Sequence, residues 1–165
     1  MKVYGVVGWK NSGKTGLMER LVREFVARGL RVSTLKHAHH VFYVDHPGKD
    51  SHRHRLAGAT EVLLSSRKRW ALMHELRDED EAPLADLLSR LTPVDLVLVE
   101  GYKRDAHPKV EAHRAETGQS LIALEDPTVR AIASDSGAGV EGRPTFDLDD
   151  TGAIAEFILG EVGLS

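Results

Sequence analysis

One octapeptide, Gly8-Trp9-Lys10-Asn11-Ser12-Gly13-Lys14-Thr15, constrains this chain more than any other stretch. It has the form G-x-x-x-x-G-K-[ST], a phosphate-binding loop, and it carries that meaning only between a strand and a helix. Both flanks are predicted. Val3-Tyr4-Gly5-Val6-Val7 is a short, mostly apolar run that reads as a buried strand. Leu17, Met18, Leu21, Val22 and Phe25 recur at helical spacing and predict a helix from the loop to Gly29. Glycines let backbone N–H groups turn inward around phosphate oxygens, and the helix N-terminus adds positive potential. Gly8, Lys10, Asn11, Ser12, Gly13 and Gly16 are the loop contacts expected. Lys14 is expected on the β- and γ-phosphates, with the Thr15 hydroxyl on Mg2+. The alternative is a Gly-rich strand–helix turn without a ligand.

A chain of 165 residues suits one α/β domain, here residues 1–165. Its net charge of −3 argues against nucleic acid as a bulk electrostatic partner. The absence of cysteine excludes thiolate zinc sites, disulfides and cysteine nucleophiles. No apolar run approaches a membrane span, and Met1-Lys2 leads straight into a strand, so neither a signal peptide nor an anchor is expected. The expectation is a soluble cytoplasmic protein that binds neither membrane nor nucleic acid.

Leu30 to Leu35 predicts a second strand, followed by Lys36-His37-Ala38-His39-His40. Ligands of open α/β sheets bind outside the C-terminal strand ends, so this basic stretch is expected to face the crevice of the phosphate loop. Pro47-Gly48 marks a turn, and Asp50 or Ser51 is expected to cap a short helix through Gly58. Thr60–Ser65 and Trp70–His74 predict an inserted or edge hairpin. The acidic run Asp78–Glu81 then leads into a helix over Pro83–Leu91, where it complements the dipole.

The run Leu96 to Val99 is wholly apolar and fits a central parallel strand buried on both faces. It ends in Glu100-Gly101, and a carboxylate at such a strand tip can hold Mg2+ or position water. An ordinary loop carboxylate is the alternative. Pro108–Ala112 reads as a short strand, while Leu121–Glu125 and Ala131–Ala133 are weaker apolar runs. Asp135 follows the last of these, in a loop of the kind that lies beside a nucleotide base. Gly137–Pro144 reads as a turn, and Asp149 or Asp150 caps a final helix with Ile154, Phe157 and Ile158 inward. The whole predicts a doubly wound, mostly parallel α/β sheet of the P-loop NTPase type.

Several blocks together resemble the MobB family, the molybdopterin-guanine dinucleotide biosynthesis protein B adapters. They are the loop at residues 8–15, Lys36-His37-Ala38-His39-His40, Pro47-Gly48-Lys49-Asp50-Ser51 with Arg53 and Ala57-Gly58-Ala59, and Val99-Glu100-Gly101-Tyr102-Lys103 with Pro108-Lys109. The resemblance implies a GTP-binding adapter in molybdenum cofactor maturation, a homodimer with weak Mg2+-dependent GTP hydrolysis. The partners it implies are molybdopterin or its guanine dinucleotide, the molybdenum cofactor guanylyltransferase and the molybdenum insertase. Two departures stand out. Gly16 replaces a frequent Thr whose hydroxyl would contact the α-phosphate, and no Asn-Lys-x-Asp guanine motif occurs. Asp135 can accept from guanine or merely cap its loop, so GTP over ATP rests on the resemblance.

The mechanism expected has Lys14 and the loop N–H groups on phosphate and Thr15 with Glu100 on Mg2+. Asp45 or Asp50 completes the metal shell or orients water, and Lys10 contacts phosphate across a dimer interface. Lys36, His37, Lys49, Arg53, Lys103 and Lys109 are expected as a floor for the anionic pterin. A solvated basic surface is the alternative. Nine histidines, six of them between His37 and His54, also invite a metal site on His37, His39, His40, His52 and His54. A small-molecule P-loop kinase with the His52–Arg55 segment as lid, and a metallochaperone GTPase, are the competing functions.

Overall fold

The computed structural model describes residues 1–38, 42 and 44–165. In chain order the elements are β1 (Lys2–Val7), α1 (Lys14–Ala27), β2 (Val32–Lys36), α2 (Asp50–Leu56), β3 (Glu61–Ser65), β4 (Trp70–His74), α3 (Leu84–Ser89), β5 (Leu96–Glu100), β6 (Lys109–His113), β7 (Val129–Ser134), β8 (Thr145–Asp147) and α4 (Thr151–Val162). They form two compact units, Met1–His37 with Leu88–Ser165, and Ala38–Leu87.

The first unit is built on a six-stranded sheet in the order β2-β5-β1-β6-β7-β8. Every pairing in it is parallel. Such strands are buried on both faces, which is why β5 and β6 are closed to solvent along their whole length. One face is covered by α1 and α4, with Tyr4, Val6, Leu17, Leu21, Phe25, Leu98, Val110, Ile154 and Ile158 in its core. The other holds a smaller cluster of Val7, Ala123, Val129 and Ile132. The α/β expectation is met, and the hairpin is an insertion: β3 and β4 pair antiparallel as a separate sheet in the second unit.

Boundaries moved where local chemistry competed with apolar pattern. β2 begins at Val32 rather than Leu30. Gly29 N–H bonds to Val26 C=O and Leu30 N–H to Phe25 C=O, so Leu30 belongs to the Schellman end of α1. α2 begins at Asp50 itself; its N-cap is Lys49, which makes no side-chain cap. α3 is shorter than expected and starts beyond the acidic run. The edge strand β8 was not anticipated, because three residues carry too little pattern to read. Asp150 caps α4 as expected, accepting from Ala153 N–H at 3.0 Å.

Candidate functional site

The loop at residues 8–13 joins β1 to α1 and is shaped by close backbone approach. A Cβ on Gly8 would stand 2.4 Å from both the Ala112 carbonyl and Ser12 Oγ, so only glycine fits there. Gly13 is the N-cap of α1 and supplies no side-chain cap, and the first turn contains no acidic residue. The N–H groups of that turn are therefore not claimed by a carboxylate, as an anion site requires. Ser12 Oγ is buried without a hydrogen-bond partner among the described residues. Lys14 Nζ donates to the Trp9 carbonyl at 2.5 Å, folded across its own loop.

Glu100 ends β5 beside this loop. Thr15 Oγ1 lies 3.5 Å from Glu100 Oε1, and Lys36 Nζ lies 3.2 Å from the same oxygen. Gly101 and Tyr102 both follow with positive φ, 94° and 50°, an abrupt turn at the strand tip. Tyr102 stacks on His37 at 4.6 Å, and His37 N–H donates to the Glu100 carbonyl, so the ends of β2 and β5 are tied together. A hydroxyl and a carboxylate this close make a hard oxygen pair of the kind Mg2+ takes. The Lys36 ammonium shows that the carboxylate already attracts a cation.

The charge around the loop is net positive. Burial, then repulsion from Lys103, depresses the Lys14 pKa; Glu100 opposes them and Lys36 adds to the depression. Lys14 thus feels two other ammonium groups, Lys36 and Lys103, against the Glu100 carboxylate. Lys103 Nζ sits over the Trp9 ring, 4.0 Å from its centroid, and its own pKa is lowered by burial. An anion entering here relieves repulsion among these lysines.

Other expected site residues have other employment. Lys109 is fully buried within β6. Its ammonium donates to the Asp105 carbonyl and Thr128 Oγ1 and lies 3.4 Å from Asp126, so it clips two loops together and cannot floor an anion site. Asp45 gives both carboxylate oxygens to Arg55, at 2.9 and 3.0 Å, which also holds Glu75 at 2.8 Å. That hydrogen bonding lowers the Asp45 pKa and leaves no free oxygen edge for a metal. Asp50, Lys49 and Arg53 are exposed on the second unit. Asp135 Oδ1 accepts from Ala115 N–H at 2.9 Å, the loop-capping alternative. His39 and His40 lie outside the described residues. Among the described residues, no group of three or more His, Asp or Glu is arranged to hold a metal ion, and no helix is long and apolar enough to cross a membrane.

Residue-type reasoning passed over Trp9 and the segment after β6. Trp9, Lys10 and Asn11 line a cleft of about 530 Å3 with Glu116, Thr117 and Gln119. Trp9 Nε1 donates to the Ser120 carbonyl at 2.8 Å. An indole inside a glycine loop was the available signal, since a large ring there must pack on something.

Comparison with known proteins gives one answer. A family model described as molybdopterin guanine dinucleotide synthesis protein B, MobB, matches residues 3–135. The molybdopterin-guanine dinucleotide biosynthesis adapter protein of Escherichia coli is 39% identical over 92% of this chain and 87% of its own length. The adapter protein of Haemophilus influenzae is 41% identical over 93% of this chain and 85% of its own. A crystal structure of a MobB homologue from Bacillus stearothermophilus superposes with a TM-score of 0.74 at 31% identity, covering 100% of both chains.

Proposed function

The chain belongs to the MobB family, and from that premise we propose that it is a GTP-binding adapter in molybdopterin guanine dinucleotide biosynthesis, with weak Mg2+-dependent GTP hydrolysis. The observation that carries this reading is the approach of Thr15 Oγ1 to Glu100 Oε1 at 3.5 Å, beside an uncapped helix N-terminus and the Lys14 ammonium. The loop N–H groups and Lys14 would hold the β- and γ-phosphates, while Thr15 and Glu100 would hold Mg2+, which would supply neutralisation of phosphate charge. Lys36, 3.2 Å from the same Glu100 oxygen, is the cation that would be available to an anionic ligand there.

The reading extends to partners. Molybdopterin or its guanine dinucleotide is the second anionic ligand, with Lys36, His37 and Lys103 as its contacts nearest the nucleotide loop. The guanylyltransferase and the molybdenum insertase are the protein partners, and the working form is a homodimer. The test is a reconstituted conversion of molybdopterin to its guanine dinucleotide by the guanylyltransferase. Wild-type protein should raise the yield, and Lys14→Ala should not. Equal stimulation by both proteins would remove the nucleotide from the function, and phosphate transfer to a small metabolite faster than to water would make the protein a kinase.

A further inference from the structure

We infer that the cleft between the phosphate loop and residues 116–119 is a purine subsite, and that the Glu116 carboxylate reads guanine in it. This rests on the GTP-binding reading and deepens it. β1 and β6 are neighbouring parallel strands, with Val7 paired to Glu111. The loops leaving their C-terminal ends therefore rise side by side, at the end of the sheet where ligands of open α/β folds bind. The cleft those loops enclose, about 530 Å3, falls within the roughly 300–1,000 Å3 of small-ligand sites.

The wall opposite the phosphate loop is preformed. Asp135 Oδ1 accepts from Ala115 N–H at 2.9 Å, and Thr117 Oγ1 donates to the Arg114 carbonyl at 2.8 Å. Trp9 Nε1 bolts the phosphate loop to the Ser120 carbonyl. The Arg114 guanidinium lies against Gly13, its Nε 3.1 Å from where a Cβ would stand. Arg114-Ala115-Glu116 thus keeps the basic-x-acidic order of the last three positions of Asn-Lys-x-Asp, at the tip of the strand beside β1. Asp135 shapes the turn, and Glu116 is the carboxylate left facing the cleft. Its side chain is exposed and has no ion-pair partner among the described residues.

The chemistry follows from donors and acceptors. An ionised carboxylate only accepts. Guanine offers it N1–H and the N2 amino group. Adenine presents a bare N1 acceptor at the same edge and is repelled. Xanthine keeps N1–H but replaces the amino group by a carbonyl, which an amide N–H can satisfy.

Calorimetric titration with Mg2+ and GTP, xanthosine triphosphate or ATP, on wild-type protein, Glu116→Gln and Glu116→Asp, tests this. Wild type should prefer GTP over both others by about tenfold or more, the scale of one charge-assisted hydrogen bond. Glu116→Gln should invert the preference toward xanthosine triphosphate, and Glu116→Asp should keep GTP first. An unchanged GTP-to-xanthosine ratio in Glu116→Gln overturns the assignment of Glu116 while nucleotide binding stands. No binding of any of the three by wild type overturns the nucleotide reading itself.

Discussion

Glu100 shows how much a single position can carry. Its carboxylate is drawn on by Thr15 and Lys36 at once, and it stands where a wholly apolar strand ends. Glu100→Gln keeps the shape and removes the charge, so Mg2+ should no longer strengthen GTP binding; metal-dependent affinity equal to wild type would take Glu100 out of the metal site. Gly16 is the second informative position. A Cβ there would meet only Arg20 Nη1, at 3.5 Å. Gly16→Thr therefore fits, and its hydroxyl adds one hydrogen bond to the α-phosphate. GTP affinity should rise about fivefold, or about 1 kcal/mol. An unchanged dissociation constant would show that the frequent threonine contributes nothing here.

At the scale of elements, β1, α1, β5, the hairpin and α4 were legible because each combines an apolar run or a helical period with a terminal signal. Lys109 was misread because a lysine counts as surface in any pattern, whereas its strand runs through the interior of the sheet. Asp45 was misread because Arg55, ten residues on, gave no sign of reaching back to it. The second face of the sheet holds a less visible constraint. A Cβ on Gly5 would stand 2.5 Å from His107 Nε2 and 2.8 Å from Lys109 Cγ. Gly5→Ala should cost about 1–3 kcal/mol in denaturant unfolding, the usual range for overpacking; a neutral substitution would mean that His107 moves aside freely. Burial, with Lys109 adding to it, lowers the His107 pKa from 6.5 to about 4. Between those values the unfolded chain binds a proton that the folded chain refuses, so stability falls as pH drops through that window. The decline should flatten in His107→Leu, and an identical pH profile in that variant would assign it to other groups.

The molecule comprises a unit built on a parallel sheet, which carries the glycine loop, and a smaller unit carrying an isolated hairpin. The hairpin leaves Leu63 and Trp70 exposed, at 62% and 66%, and Leu63 faces Leu72 across the strands. Such a face is uncommon on a monomer's surface and accords with a protein that works by contact. Binding confined to the folded state stabilises it by mass action, by about 2.7 kcal/mol at a hundredfold excess over the dissociation constant. GTP with Mg2+ should therefore raise the thermal midpoint and slow hydrogen exchange at residues 8–16, 100–103 and 114–120. Protection absent from all three segments would detach the nucleotide from this site. The most direct measurement is calorimetric titration of GTP into wild-type protein and into Lys14→Ala, with Mg2+ present. Wild-type protein should bind saturably and the variant should not; equal binding by both would take GTP away from this loop.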